Sequence, residues 1–323
     1  MTIAATSRIS KMIRRVHTPG QHGHAVTAIA NSGGRLGHQL KDIVTGMIVS
    51  ELFNIAYLHS PLRDAEWERF MGLGTDECML TDSHYSYFVS QLVQVSPRWH
   101  GISWDSLYNV IRGLQARPQP TLLIFQHAIR VLLVQARQWH AKGAIEHDVY
   151  SRVINKLRHK YFCTEHPAKK RIVSEGRYNI AIHIRRGDAT VRNGRWLPIS
   201  YYTNIIDQLE SLLSKKSAVF HIYSDGTTNA MDQIRHALTK SHRRIIFHLN
   251  ESPFATFHQM VVADLLVLGH STFSDWAGFI SSQPKLLHPH YHMTGLDDNE
   301  WIYVDKHGNI SGDVTLLKNI NAR

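Results

Sequence analysis

Cysteine is nearly missing from this sequence: Cys78 and Cys163 are the only two in 323 residues, far apart and outside any Cys-x-x-Cys spacing. That excludes a disulfide framework and a cysteine-based zinc module, and it suits a reducing compartment. Long apolar runs are lacking as well. No stretch of about 18 apolar residues occurs, so no membrane span is expected. The opening MTIAATSRISKMIRRVH is too polar and too basic for the apolar region of a secretory signal and reads as a basic tail over residues 1–23. A cytoplasmic location is expected. Acidic residues are in deficit, 26 against 36 Lys and Arg, for a formal charge of +10 with 23 histidines besides. Such a surface attracts anions, whether nucleic acid, acidic membrane or a phosphorylated small molecule, and charge alone does not choose among them. Internal repeats and low-complexity tracts are absent.

What is present, 43% hydrophobic and 19% charged residues, is an ordinary globular composition for about two domains. HAVTAIANS (His24 to Ser32) reads as a buried strand that runs into GGRLGH. Leu40, Ile43, Val44, Met47 and Leu52 then recur at helical spacing, and IAYLHSP (Ile55 to Pro61) reads as a strand stopped by proline. From Asp82 to Phe162 the pattern is mostly helical, including SYFVSQLV and AIRVLLVQARQWH, with TLLIF as one interrupting strand. CTEHPAKKRIVSEGR (Cys163 to Arg177) has proline, charge and glycine but no period, so it is the expected interdomain linker. The division expected is a helix-rich α/β domain over 24–165 and a second domain over 166–323.

The second half is more regular. YNIAIHI, AVFHIYS, RIIFHLN and DLLVLGHS are strand candidates, each followed by an amphipathic helix candidate, the first with Ile205, Ile206, Leu209, Leu212 and Leu213 on one face. Continuous apolar strands alternating with helices predict a doubly wound parallel sheet. In such sheets ligands bind outside the carboxyl ends of the strands. Those ends read Arg185-Arg186-Gly187-Asp188, Ser224-Asp225-Gly226, Asn250-Glu251-Ser252 and Ser271-Thr272-Phe273-Ser274. An arginine at a tip offers a permanent planar fork of donors that matches phosphate, and the hydroxyl cap of a helix marks free N–H groups that bind anions. Each element taken alone has a plainer reading: Arg186 with Asp188 as a local ion pair, Ser224-Asp225-Gly226 as a turn, Ser271 as an ordinary cap. Their placement at successive strand ends favours a nucleotide-diphosphate site.

HIRRGD (His183 to Asp188) resembles the H-x-R-R-G-D signature of the fucosyltransferase superfamily of α1,2-, α1,6- and protein O-fucosyltransferases. DLLVLGHSTFSDWAGFI, IYSDG and PISYY resemble three further motifs of that superfamily in the same order, and GGRLGHQL is similar to its N-terminal glycine loop. The resemblance implies a GT-B architecture, two Rossmann-like domains facing a cleft, and inverting transfer of fucose from GDP-fucose to a hydroxyl of a glycan. It implies no metal and no other cofactor, and the chain has no Asp-x-Asp to carry a cation.

By the same resemblance Arg185 meets the β-phosphate and His183 the guanine side. Ser271, Thr272, Phe273 and Ser274 are phosphate-side donors, with Arg186, Ser224 and Asp225 beside them and Gly34, Arg35 and Gly37 on the first-domain loop. The base stays open between His38, which stands where many relatives carry asparagine, Asp188, and an acceptor activated weakly while leaving-group stabilisation lowers most of the barrier. No carboxylate occurs in ATVRNGRW after Asp188. His288, His290 and His292 read as a chance cluster on a loop rather than a metal site, and Trp67, Trp99, Trp104, Trp139 and Trp196 as packing or sugar-stacking residues. Another nucleotide-sugar donor, a protein acceptor, and a basic nucleic-acid binder without catalysis are the rival readings. The dispersed Lys and Arg disfavour the last.

Overall fold

The computed structural model describes residues 23–30, 32–88, 92–95, 103–126, 132–170, 176–192, 194–213, 217–239, 244–288, 300–311 and 317. The tail 1–22, Trp99, His290 and His292 lie outside them. The chain divides after Thr164 into two units.

The first unit runs β1 (Ala25–Ile29), α1 (Leu36–Phe53), β2 (Ala56–His59), α2 (Ala65–Met71), β3 (Cys78–Met79), α3 (Asp82–Phe88), β4 (Leu92–Val95), α4 (Trp104–Gln115), β5 (Leu122–Gln126), α5 (Leu132–Ala141) and α6 (Val149–Cys163). Its sheet has the order β3-β2-β1-β5-β4, every pairing parallel. Helix α1 begins at Leu36, ahead of the periodic residues, because it is buried almost all round, Lys41 and Asp42 included. It ends at Asn54, whose left-handed backbone (φ 51) returns its N–H to the Ser50 carbonyl.

SYFVSQLV does not form one helix. The helix stops at Phe88, and Leu92–Val95 pairs with β5 in the register Leu92↔Leu122. The correction has a plain cause: a short apolar run has no period of its own, and the open edge of β5 supplies hydrogen bonds that a lone helical turn lacks. TLLIF is therefore not the only strand in that region.

The second unit runs β6 (Tyr178–Ile184), α7 (Ile199–Leu212), β7 (Ala218–Ser224), α8 (Thr228–Leu238), β8 (Ile245–Leu249), α9 (Pro253–Val262), β9 (Leu265–Val267), α10 (Thr272–Ile280), β10 (Lys285–Leu287) and β11 (Trp301–Tyr303). Its order is β11-β10-β9-β6-β7-β8, again parallel throughout. The chain winds outward from β6 to β8, then returns to lay β9 on the other side of β6. That reversal makes the β6/β9 boundary a topological switch point.

Strand alternation sorts β6 by face. Ile180, Ile182 and Ile184 pack with Tyr202, Ile205, Ile206 and Leu209 of α7, each such buried side chain contributing about 1.5–3 kcal/mol. Asn179 and His183 turn to the other face. DLLVLGHS is a strand only as far as Val267, since the chain must pass close over β6: a Cβ on Gly269 would stand 2.6 Å from the His183 carbonyl oxygen. β10 and β11 carry no legible pattern, being three residues each. Among the described residues no helix is long and apolar enough to cross a membrane.

Candidate functional site

The second unit's switch point joins two pieces of backbone. β6 delivers Arg185 one residue past its end, and β9 leads to Ser271, the N-cap of α10. Ser271 Oγ accepts from the Phe273 N–H at 3.3 Å and from Arg185 Nη1 at 2.7 Å. Arg185 Nη2 donates to Asp188 at 2.5 Å, and its buried Nε has no partner. The side chain is 14% exposed. Helix N-termini carry partial positive charge, so a guanidinium fixed against one is the reverse of what the dipole favours. Asp188 offsets part of that repulsion. An anion at the same spot would satisfy the cation and be favoured by the positive end of the helix.

Arg186 sits differently. It is 2% exposed, and its Nη1 and Nη2 donate to the carbonyls of Arg185 (2.9 Å) and Leu197 (3.0 Å). Its guanidinium lies 3.9 Å from the Trp196 ring centroid, and burial pulls its pKa below the usual arginine value. Its fork, expected beside Arg185 at the ligand, holds the tip's own backbone. The local pair expected with Asp188 belongs to Arg185 instead, with Arg195 standing 3.9 Å from the same carboxylate.

The middle tips support the first. Ser224 Oγ donates to the Ile184 carbonyl at 2.5 Å, which ties β7 to β6 just before Arg185. Asp225 Oδ1 accepts from the N–H groups of Arg186 (3.3 Å) and Gly187 (3.1 Å). Glycine at 187 leaves room for this carboxylate, since a Cβ there would lie 2.3 Å from Asp225 Oδ2 and displace it. Asn250, held at φ 56, clamps the second tip from the third: its Oδ1 accepts from the Gly226 N–H at 3.0 Å and its Nδ2 donates to the Gly226 carbonyl at 3.2 Å. The sequence marked Asn250 as a strand end but gave no sign of this reach across tips.

His183 is buried, with its ring 5.9 Å from that of Phe273 and its Nδ1 lacking any partner. Burial pushes its pKa down to about 4, Arg185 adding to the fall and Asp225 opposing it, so the ring is neutral. Thr272 and Phe273 are half-buried, whereas the buried Ser274 turns its hydroxyl to the carbonyls of Gly269 (3.2 Å) and Ser271 (3.0 Å). Ser274 is thus a structural residue of the turn.

In the first unit, Arg35 occupies the N-cap position of α1, and His38 lies in the helix's first turn with its N–H on the Arg35 carbonyl at 2.9 Å. Gly37 is buried beside it. Gln39 was missed by sequence reasoning. Its Nε2 donates to the Gly34 carbonyl at 2.8 Å and its Oε1 accepts from the Arg63 N–H at 3.0 Å, while the Arg63 guanidinium holds the Ser32 carbonyl. The glycine loop is therefore built by its own glutamine.

Of the remaining singled-out residues, Trp104 stacks on Phe53 (5.7 Å, 9°) with Trp139 at 5.4 Å, and Trp67 packs edge-on to Phe70. His288 contacts Tyr201 and His270 through its ring. Among the described residues no group of three potential metal ligands occurs.

Residues 162–287 match the family model described as Glycosyl transferase family 11, a span that holds all four tips. No curated protein sequence matches the chain. Among solved structures, an arginine-to-lysine mutant of Arabidopsis thaliana FUT1 in complex with GDP superposes with a TM-score of 0.51 at 12% identity, over 89% of this chain and 76% of that one. That likeness concerns the fold, which is GT-B. POFUT1 in complex with GDP is similar over 82% of this chain and 98% of its own, with 14% identity and a TM-score of 0.45.

Proposed function

We infer that this chain, whose residues 162–287 match the model described as Glycosyl transferase family 11, belongs to the fucosyltransferase superfamily and is an inverting glycosyltransferase that moves fucose from GDP-fucose to a hydroxyl of a glycan acceptor. The observation that carries the donor half of this reading is Arg185, a cation held by Ser271 at the N-terminus of α10 on the switch point of the sheet.

In the transfer, the acceptor oxygen forms a bond to the anomeric carbon while the bond from that carbon to the β-phosphate oxygen breaks. The electron pair leaves with the diphosphate. Arg185 and the first amides of α10 meet that growing charge with groups already in position, the most effective form of electrostatic catalysis. No divalent cation is required in this scheme, so chelation by EDTA is expected to leave transfer unchanged. The neutral His183, with its unpartnered Nδ1, suits a hydrogen bond to the guanine side.

Asp188 is engaged by Arg185 and Arg195 and serves to orient them, so of the two candidate side chains His38 is the proposed base for the acceptor proton, the rival scheme being an acceptor activated weakly while leaving-group stabilisation lowers most of the barrier. His38→Ala is then expected to lower kcat with GDP affinity unchanged. The two free thiols support a reducing, cytoplasmic setting.

The test is thermal shift followed by transfer. GDP is expected to raise the melting temperature, since a ligand of the native state alone stabilises it, and ADP and UDP to do so much less. Radiolabelled GDP-fucose offered to a glycan array then yields labelled product. Equal stabilisation by all three nucleotides, or by none, would overturn the donor assignment, and label on polypeptide acceptors alone would overturn the glycan.

A further inference from the structure

Beneath the strand tips, a line of hydrogen bonds crosses three strands. Asn179 on β6 meets His221 Nε2 on β7 through its Oδ1 at 3.1 Å. His221 Nδ1 meets His248 Nε2 on β8 at 3.0 Å, and His248 Nδ1 meets Glu251 Oε1 at 3.0 Å. Both rings are buried, while Glu251 stands 40% exposed.

The two ends of this line are fixed as acceptors. Asn179 Nδ2 donates to the Arg177 carbonyl at 2.9 Å, which sets the amide and turns its oxygen to His221. Glu251 ends the line with a carboxylate. Three links between two acceptors need three hydrogens, and two neutral imidazoles supply only two. For all three links to be hydrogen bonds one ring carries both of its hydrogens, and the ring that stands against the Glu251 carboxylate is His248; burial and the neighbouring His248 push the His221 pKa down to about 4.

We propose that Glu251, His248, His221 and Asn179 form a proton-sharing strut: the imidazole pair holds one extra hydrogen, placed on His248 against Glu251, and through it positions the tips that build the Arg185 site. The connection is short. His248 and Glu251 flank Asn250, which clamps Gly226, and the adjoining Asp225 holds the N–H groups of Arg186 and Gly187. Without the extra hydrogen a lone pair of His248 Nδ1 faces the carboxylate, so that link breaks beside Asn250.

The other groups facing the pair are Tyr223, stacked on His248 at 4.6 Å, and Gln259 of α9, whose Nε2 donates to the Lys170 carbonyl. Burial and Glu251 both raise the Tyr223 pKa, so its phenol stays neutral. Asp264 lies on the far side of Asn179, accepting from its N–H at 2.8 Å.

The strut itself is tested by nitrogen-15 NMR of the imidazoles at about pH 6.5, assigned by difference from His221→Asn and His248→Asn. Three of the pair's four ring nitrogens should carry hydrogen. In Glu251→Gln the amide donates to Nδ1, and two of four should. One hydrogen per ring in the unaltered protein overturns the strut.

Its positioning role rests on the donor reading above and is tested through GDP affinity. Glu251→Ala removes the link beside Asn250 and should weaken GDP binding about 5-fold, while Glu251→Gln, whose amide restores a hydrogen bond to His248 Nδ1, should keep most of the affinity. Equal affinity in the unaltered protein and Glu251→Ala overturns the positioning role. Failure of GDP to bind either protein overturns the donor reading and positioning together, and the ring-nitrogen count still decides the strut.

Discussion

Arg185 and Arg186 are neighbours in sequence and opposites in consequence. Arg185→Ala removes a partly exposed cation whose partners are two flexible side chains, so the expected outcome is loss of transfer by about 100-fold or more with the melting temperature nearly unchanged. Arg186→Ala empties a buried site and strands the carbonyls of Arg185 and Leu197, which should cost about 2–4 kcal/mol of stability in urea unfolding. A pair of variants that lost stability and activity in the same proportions would show that the two arginines share one role. The sequence announced two arginines at a strand end. Which of them faced outward depended on a tryptophan ten positions further on.

At the scale of elements, the site is a meeting of β6 with the start of α10, and two small residues allow it. Ser271→Ala deletes both the cap of α10 and the anchor of Arg185. Equilibrium unfolding should register about 1 kcal/mol, and calorimetric titration a weaker GDP site, whereas a cap alone would change only the former. Gly269→Ala sets a methyl group 2.6 Å from the His183 carbonyl oxygen, and backbone cannot step aside cheaply. A loss of about 1–3 kcal/mol is expected on denaturant titration, and no loss would mean that β9 and β6 are less closely apposed. The strand-to-helix order of this region was legible because buried parallel strands are continuous apolar runs of five to seven residues. β3, β4, β10 and β11, of two to four residues, were not, for they lie outside the longer apolar runs that marked the equally short β2 and β9.

At the scale of the whole molecule, pH acts through buried imidazoles. His183 and His221 both have their pKa lowered from 6.5 to about 4 by burial, so the unfolded chain takes up protons that the native one refuses. Their stabilising effect is fully present above pH 6.5 and is lost as pH falls from there toward 4. Scanning calorimetry across that window should show the melting temperature dropping by several degrees, and a flat profile would mean that one or both rings accept protons in the native state. The chain by itself determined the alternation of strands and helices in the second unit, the place of the tips at strand ends and the surplus of positive charge, because periodicity, turn chemistry and composition are local properties. Only the tertiary structure decided that β9 lies beside β6, that Ser271 holds Arg185, that Asn250 clamps Gly226 and that a line of hydrogen bonds joins Asn179 to Glu251. Each of these pairs residues 24 to 86 positions apart or spans three strands, and contacts of that range are fixed by how the sheet winds rather than by anything adjacent along the chain.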